Sequence, residues 1–248
     1  MELTLVNARP EFGRAHLVDP PPYGYLLLSA VVEPPGKGPP VPGRSRRKQA
    51  LLAELARQAA QLAHHDTVKR ATAYRAVIVA PPQGYAKDHA PRVARYDVVV
   101  LVESASPEVI SAVEAADAYR SLADTMTSAA REVHTMRARC VKSLGDVDKD
   151  RSGLYLFNYF VAEDPAVGSE LWDYLAGWYQ RATGLDNSTL LAPLEVDDFV
   201  FVNHARWDAS PPKVMFDQFR RPTFRSYVLA NLLANRTGSM PILFKAVT

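Results

Sequence analysis

Two stretches of sequence decide the fold of this chain: YLLLSAVVEP at residues 25–34 and YLFNYFVAEDP at residues 155–165. Each begins with an apolar run of the length of one buried strand and ends in acidic residues followed by proline. A second pair of similar stretches follows them, VVVLVESASP at residues 98–107 and VFVNHARWDASP at residues 200–211, and both end in Ala-Ser-Pro. This recurrence predicts an internal duplication, which has to be recognised before any motif because it sets the whole fold.

The segments between these stretches give both halves the same order of elements. In the first half, we predict strands at 25–32, 73–80, 96–103 and 134–141, with helices after Ser45 and after Ser106-Pro107. In the second half, we predict strands at 154–162, 190–196, 199–205 and 241–247, with helices at 169–182 and after Ser210-Pro211. Each half therefore has the order β-α-β-β-α-β, which is the split βαβ, ferredoxin-like arrangement.

The strand at 154–162 is apolar on both faces, apart from Asn158. A sheet with two apolar faces needs a cover on each, and its own helices cover only one of them. The sheet of the other half is the natural cover for the second face. We therefore predict an α+β protein in which two tandem ferredoxin-like units, residues 23–145 and 146–248, follow a leader segment at residues 1–22 and together form one pseudo-dimer.

On this order of elements, residues 23–248 resemble the dimeric α+β barrel superfamily, in which two ferredoxin-like units join their sheets into a barrel. The superfamily includes cofactor-free monooxygenases, polyketide-cyclase-like enzymes, EthD-like proteins, and the haem-binding chlorite dismutase and dye-decolourising peroxidase groups. The resemblance implies a small-molecule ligand. The stretches LGDVDKDRSGLYLFNYFVAED, TGLDNSTLLAPLE and VNHARWD also resemble a group of actinobacterial proteins, and that likeness implies no particular activity.

Composition excludes several classes of protein. The chain has 248 residues, of which 48% are hydrophobic and 23% charged, a net charge of +2, and a single cysteine, Cys140. One cysteine excludes a disulfide framework and a Cys-rich zinc module. The small net charge argues against nucleic acid and anionic membrane surfaces as partners. The longest uncharged stretch, residues 20–32, is shorter than the roughly 18 residues that span a bilayer, and no signal peptide is evident. We therefore expect a cytoplasmic protein without nucleic-acid or membrane partners, and the sequence leaves open whether it forms a homo-oligomer.

Five polar or aromatic side chains are the candidate site residues. Asn158 interrupts an apolar strand, and a buried amide needs a partner, which is either a ligand or backbone and water. In the strand that contains Asn203, His204 and Arg206, alternation points His204 and Arg206 to one face and Asn203 to the other. His204 is the candidate general base because its ordinary pKa lies near neutrality. Arg206 is a candidate ligand-binding residue, and a structural ion pair with Asp208 is the favoured alternative.

Trp178 belongs to an aromatic helix, together with Trp172, Tyr174 and Tyr179, that lines either a pocket or the core. The run Asp146–Gly153 imitates the start of a calcium loop, but Arg151 stands where that loop needs glycine, which indicates a linker. Adjacent His64 and His65 point about 100° apart on a helix and rarely share one ion, so we predict no metal site. No histidine stands in a motif for a haem ligand, and we predict no cofactor.

These observations lead to two hypotheses of different class. The first is a small-molecule-binding α+β barrel protein, such as a cofactor-independent monooxygenase or cyclase-like enzyme, that acts on an apolar or aromatic substrate. The second is a non-catalytic structural or partner-binding protein of the same fold, and haem binding is a distant third. The sequence does not decide whether the protein is an enzyme.

Overall fold

The elements of each half follow the predicted β-α-β-β-α-β order, with a short strand and a short helix inserted between the second and third barrel strands of the first half. The structure, a computed structural model, describes residues 2–37, 39–149, 152–211, 213–214 and 220–247. Among these residues the strands are β1 (Gly24–Val31), β2 (Val68–Val79), β3 (Gln83–Gly84), β4 (Val98–Ser104), β5 (Glu132–Gly145), β6 (Leu154–Ala162), β7 (Ser188–Pro193), β8 (Phe201–Trp207) and β9 (Thr237–Ala246). The helices are α1 (Arg46–Leu62), α2 (Ala86–His89), α3 (Ile110–Ala115), α4 (Asp117–Ala129), α5 (Pro165–Thr183) and α6 (Ala230–Ala234), with a π-helical segment at Phe224–Leu229 before α6.

Strand pairing closes the sheet into a barrel. Within the described residues, eight strands pair in the order β2-β4-β1-β5-β7-β8-β6-β9, and β9 pairs with β2, while the short β3 is added at the edge of β9. The first four and the last four of these strands have the same internal order, and all the pairings are antiparallel. The predicted fold of two tandem ferredoxin-like units in one barrel is confirmed. The residue boundaries 1–22, 23–145 and 146–248 stay a prediction.

The interior of the barrel is an aromatic core. Buried side chains from all eight barrel strands belong to one apolar cluster, and they can meet only inside the barrel. Tyr74 and Phe157 contact edge to face with their ring centroids 5.2 Å apart, and Phe157 does the same with Phe244 at 5.3 Å. Each such ring buries roughly 150–250 Å² of surface. The barrel interior is thus a packed core rather than a channel.

Helices form a separate outer layer on each half. In the first half, Leu51 and Leu55 of α1 belong to the same buried cluster as Leu28 of β1 and Val100 of β4. Ser45 caps α1, because its side chain accepts a hydrogen bond from the Lys48 backbone amide at 3.1 Å. This cap agrees with the sequence prediction.

In the second half, the outer layer is built on α5, which begins earlier than the predicted Ser169. The carboxylate of Asp164 accepts from the amides of Ala166 and Val167, and Pro165 occupies the first helical position. The helix ends at Gly184, whose φ of 69° is in the left-handed region. Of the helical region predicted to begin at Ser210-Pro211, residues 212 and 215–219 lie outside the described ranges, and its later part is helical from residue 224 to residue 234.

The linker between the halves packs against the barrel. Val147 is fully buried in the barrel core, and the Lys149 ammonium lies 2.7 Å from a carboxylate oxygen of Glu103 on β4. Both side chains of this ion pair are buried. The stretch that imitates a calcium loop therefore contributes structure, and its residues 150–151 lie outside the described ranges.

Candidate functional site: a cavity in the second half

A cavity of about 70 Å³ lies between the outer face of the second half's sheet and α5. Because about 10–15 Å³ of such space holds one water, the cavity has room for several waters. It is smaller than the roughly 150 Å³ that holds a benzene ring, so an aromatic ligand would extend through the side of the cavity that is open to solvent. Its described lining is apolar and aromatic with a few polar groups, and it consists of Ala80, Gln83, Leu144, Leu156, Asn158, Phe160, Trp172, Leu175, Ala176, Tyr179, Leu185, Ser188, Asn203, Trp207, Val214, Val228, Leu232, Ser239, Pro241 and Leu243. Apolar walls with few polar groups are typical of small-molecule sites.

Two asparagines form the polar centre of the sheet wall. Asn158 of β6 and Asn203 of β8 are direct cross-strand partners, so their side chains lie on the same face of the sheet. The Asn203 carboxamide accepts a 2.5 Å hydrogen bond from the Ser188 hydroxyl, which holds it in place. The buried Oδ1 of Asn158 has no hydrogen-bond partner among the described residues. A buried polar atom without a partner costs about 1–3 kcal/mol, so Asn158 gains most from a ligand.

The helix wall contributes a phenol. Tyr179 of α5 is half-buried, and among the described residues its hydroxyl makes no hydrogen bond. Burial raises its pKa above the ordinary value, so Tyr179 is a neutral hydrogen-bond donor. No charged side chain is found among the described residues that line the cavity.

The first half of the chain also reaches the cavity. Gln83 of β3 pairs with Ser239 of β9, and both residues line the cavity. The turn depends on Gly84, whose φ is 60° and where a Cβ atom would lie 2.8 Å from Leu232. The cavity is therefore composed of residues from both halves, although it lies over the second.

His204 is on the other face of β8, inside the barrel. It is fully buried, its ring is stacked on Phe157 at 4.3 Å, and its Nδ1 lies 3.1 Å from the Leu156 carbonyl oxygen. Burial lowers the pKa of His204 well below its ordinary value, and the charge of Lys149 lowers it further. The imidazole is therefore neutral, and its Nδ1 donates to the carbonyl. Its Nε2 has no partner among the described residues.

Arg206 and Trp178 also lie away from the cavity lining. The Arg206 guanidinium donates to the Ser152 carbonyl at 2.7 Å and to the Asp208 carboxylate at 2.5 Å. This contact with Asp208 is the structural ion pair expected as the alternative to a ligand-binding role for Arg206. Trp178 is fully buried, and its indole donates to the Thr223 hydroxyl at 3.1 Å.

Of the five candidate residues, the structure brings only Asn158 and Asn203 together at one cavity. The alternation along β8 predicted that His204 and Arg206 would be on the opposite face from Asn203, and the structure has that alternation. Sequence reasoning missed Gln83, Ser188 and the individual importance of Tyr179. The aromatic helix was a signal for Tyr179, whereas no local signal points to Gln83, because its partner Ser239 is distant in sequence.

The described lining does not fit a haem group. Haem iron in proteins is held by histidine, cysteine, methionine or tyrosine. Among the described lining residues only Tyr179 is of these types, and its raised pKa disfavours the phenolate that would bind iron. No cluster of three or more metal-binding side chains occurs within the described ranges, and no helix there is long and apolar enough to cross a membrane.

Comparison with known proteins identifies the fold. No family model and no curated protein matches the sequence. An anthrone oxidase-like protein of known structure superposes with a TM-score of 0.60 at 11% identity, over 91% of each chain. A monooxygenase-like protein from Fusobacterium nucleatum gives 0.54 at 6% identity, over 91% of this chain and 92% of its own. A chlorite dismutase-like protein gives 0.50 at 12% identity, over 91% and 95%. The likeness to actinobacterial proteins stays a prediction, and what these comparisons establish is that the chain has the dimeric α+β barrel fold.

Proposed function

We propose that this chain binds a small apolar or aromatic molecule in the cavity beside α5 and acts on it as a cofactor-independent monooxygenase. The observation that carries the binding site is the unpartnered Oδ1 of Asn158, which borders a mainly apolar cavity. An unpaired buried amide destabilises the free protein unless a bound molecule supplies the missing hydrogen bond. The monooxygenase activity is supported by the names of two proteins that share the fold, one anthrone oxidase-like and one monooxygenase-like.

The residues of the cavity can bind and orient such a substrate. Aromatic and aliphatic side chains of α5 and the sheet would enclose its rings and exclude water, while Asn203 and Tyr179 would donate hydrogen bonds to an oxygen that gains negative charge during oxygenation. Donors that are already oriented stabilise developing charge best where water is excluded. Ser188 supports this role, because its hydroxyl holds the Asn203 carboxamide in one orientation.

One observation favours a second candidate, a non-catalytic binding protein. His204, the candidate general base, is neutral and inside the barrel, on the opposite face of β8 from the cavity. The described lining offers no other group that would take a proton near neutral pH. A substrate of the proposed enzyme must therefore lose its proton readily to water or to oxygen itself.

An oxygen-uptake assay separates the two candidates. Purified protein without added flavin, haem or metal is mixed with an anthrone, and oxygen consumption is followed together with quinone absorbance. The proposed enzyme consumes one O₂ as the ring CH₂ group becomes a carbonyl and water is released. The matched control is the Asn158→Leu, Asn203→Val double variant, which carries the first half's residues at the equivalent positions. Binding without oxygen uptake above that control would support the non-catalytic protein, and absence of any binding would exclude both.

A further inference from the structure

We infer that the natural ligand of the cavity is an uncharged hydroxyarene, that is, an aromatic molecule whose neutral hydroxyl group is held between Asn158 and Tyr179. This inference rests on the proposed function, because it names the class of ligand for the same cavity. It goes beyond that function by specifying the charge of the ligand and its polar group.

The charge of the ligand follows from the lining. The polar side chains among the described lining residues are carboxamides, hydroxyls and indoles, and all of them are neutral. Burying an ionised carboxylate or phosphate without an opposite charge is far more costly than burying a neutral polar group. The cavity therefore selects against anions and cations and accepts neutral molecules.

The polar group of the ligand follows from the unused hydrogen-bonding groups. The buried Oδ1 of Asn158 has no hydrogen bond to any described residue, and a carboxamide presents both a donor and an acceptor. The Tyr179 hydroxyl makes none either, and its raised pKa keeps it protonated. A hydroxyl is the smallest ligand group that both donates and accepts, so it can satisfy a carboxamide and a phenol at once, whichever way the amide is turned.

The positions of these two groups favour one bound orientation. Asn158 is on the sheet wall and Tyr179 is on α5, so the ligand hydroxyl would be contacted from both layers. The aromatic body would then lie among side chains such as Phe160, Trp172 and Leu175, which belong to one buried apolar cluster. Leu28 occupies the equivalent position in the first half, where the space is filled, which indicates that the polar residue is not needed for the fold.

The test measures the dissociation constants of three probes of similar size: naphthol, naphthalene and naphthoate. Calorimetry or ligand-detected NMR near neutral pH keeps naphthol uncharged and naphthoate anionic. We expect naphthol to bind at least about tenfold more tightly than naphthalene, which corresponds to about 1.4 kcal/mol. We expect naphthoate to bind more weakly than either.

Two variants test which side chains cause the preference for naphthol over naphthalene. Asn158→Leu should reduce the naphthol-to-naphthalene ratio to about one while naphthalene still binds, and Tyr179→Phe should reduce the ratio without changing the size of the site. Circular dichroism and the melting temperature show whether each variant is folded, and the naphthalene affinity reports that the cavity is intact even where one variant fails.

Each outcome has a distinct meaning. Equal binding of naphthol and naphthalene by the wild-type protein, or tightest binding of naphthoate, would overturn the hydroxyarene assignment and leave the proposed binding site standing. A naphthol preference that survives both substitutions would also overturn it. If none of the three probes binds, the proposed function is wrong together with this inference.

Discussion

The two halves of the barrel place different residues at the same position of the same sheet. In the first half, Leu28 of β1 pairs with Val100 of β4, and both are completely buried against α1 and α4. In the second half, Asn158 of β6 pairs with Asn203 of β8 and borders a cavity beside α5. The space between sheet and helices is therefore filled with apolar side chains in the first half, whereas in the second half it contains a cavity lined by two asparagines.

The layers that cover the two sheets account for this difference. Aliphatic side chains of α1 and α4, among them Leu55 and Leu122, fill the space above Leu28. In the second half the corresponding space is enclosed by larger aromatic side chains on α5 and by the helical segment that ends in α6. In the second half this space is not completely filled, and a gap lined by amides can hold a ligand.

The largest expected effect comes from giving the first half the second half's residue. Leu28→Asn removes a buried aliphatic side chain and leaves an amide without a partner in a filled core, and it should lower the free energy of unfolding by about 4 kcal/mol. Urea denaturation monitored by circular dichroism measures the change. A loss below about 1 kcal/mol would mean that the first half can also accommodate a polar group there.

A second comparison concerns an equivalent position that carries a charged residue in both halves, acidic in the first and basic in the second. Glu103 is the cross-strand partner of Tyr25, and Arg206 is the partner of Tyr155, so the two charges are equivalent in the repeat. Lys149→Met should cost about 3 kcal/mol of stability, because it removes the buried partner of Glu103.

Asp208→Asn is the matched control for this comparison. The Asp208 side chain is 61% exposed, and losing its pair with Arg206 should cost less than about 1 kcal/mol. The two free energies of unfolding are measured under identical conditions. Equal costs would contradict the view that burial of the partner decides the outcome.

An effect of intermediate size is a pH dependence of the free energy of unfolding, which is expected from His204. In the first half the equivalent position on the paired strands is occupied by Leu101. The folded protein holds the pKa of His204 well below the unfolded value of about 6.5. At a pH between these two pKa values, the unfolded chain binds more protons at this imidazole than the folded protein does. Stability should therefore fall by up to about 1.4 kcal/mol per pH unit as the pH drops below about 6.5, and should not change through this group above it.

Comparison with His204→Leu isolates that contribution. The variant carries the residue of the first half and should lose this part of the pH dependence. Unfolding free energies of both proteins between about pH 7 and pH 5 give the difference directly. Parallel profiles for the two proteins would show that His204 does not become protonated on unfolding in this range.

The smallest effect, with the opposite sign to that of Leu28→Asn, is expected for Asn158→Leu. This substitution replaces an unpartnered amide with the residue of the first half, and should stabilise the ligand-free protein by about 1 kcal/mol. Thermal and urea denaturation measure the gain. Destabilisation would indicate that Asn158 has a structural role in the empty protein.

The sequence predicted much of this arrangement because the spacing of apolar residues and the repeated stretches can both be recognised along a single chain. The apolar runs at residues 25–32 and 154–162 predicted the first strand of each half, and the structure places them within one residue of those bounds. Asn158 was identified because it interrupts such a run, and alternation separated Asn203 from His204. Some element starts were predicted less well. β2 begins at Val68 rather than at residue 73. α5 begins at Pro165 rather than at Ser169, because Asp164 and Pro165 form a cap outside the periodic apolar pattern.

By itself, the sequence determined the order of elements, the duplication, and the position of Asn158 as the polar residue in an apolar strand. Each of these depends on spacing along one chain. Only the tertiary structure decided which face of β8 borders a cavity. In the sequence each face carries polar as well as apolar side chains, Asn203 on one and His204 and Arg206 on the other. The choice depends on how α5 packs over one face while the opposite sheet fills the other. The same reason accounts for Gln83, which reaches the cavity because β3 pairs with β9 across the junction of the two halves.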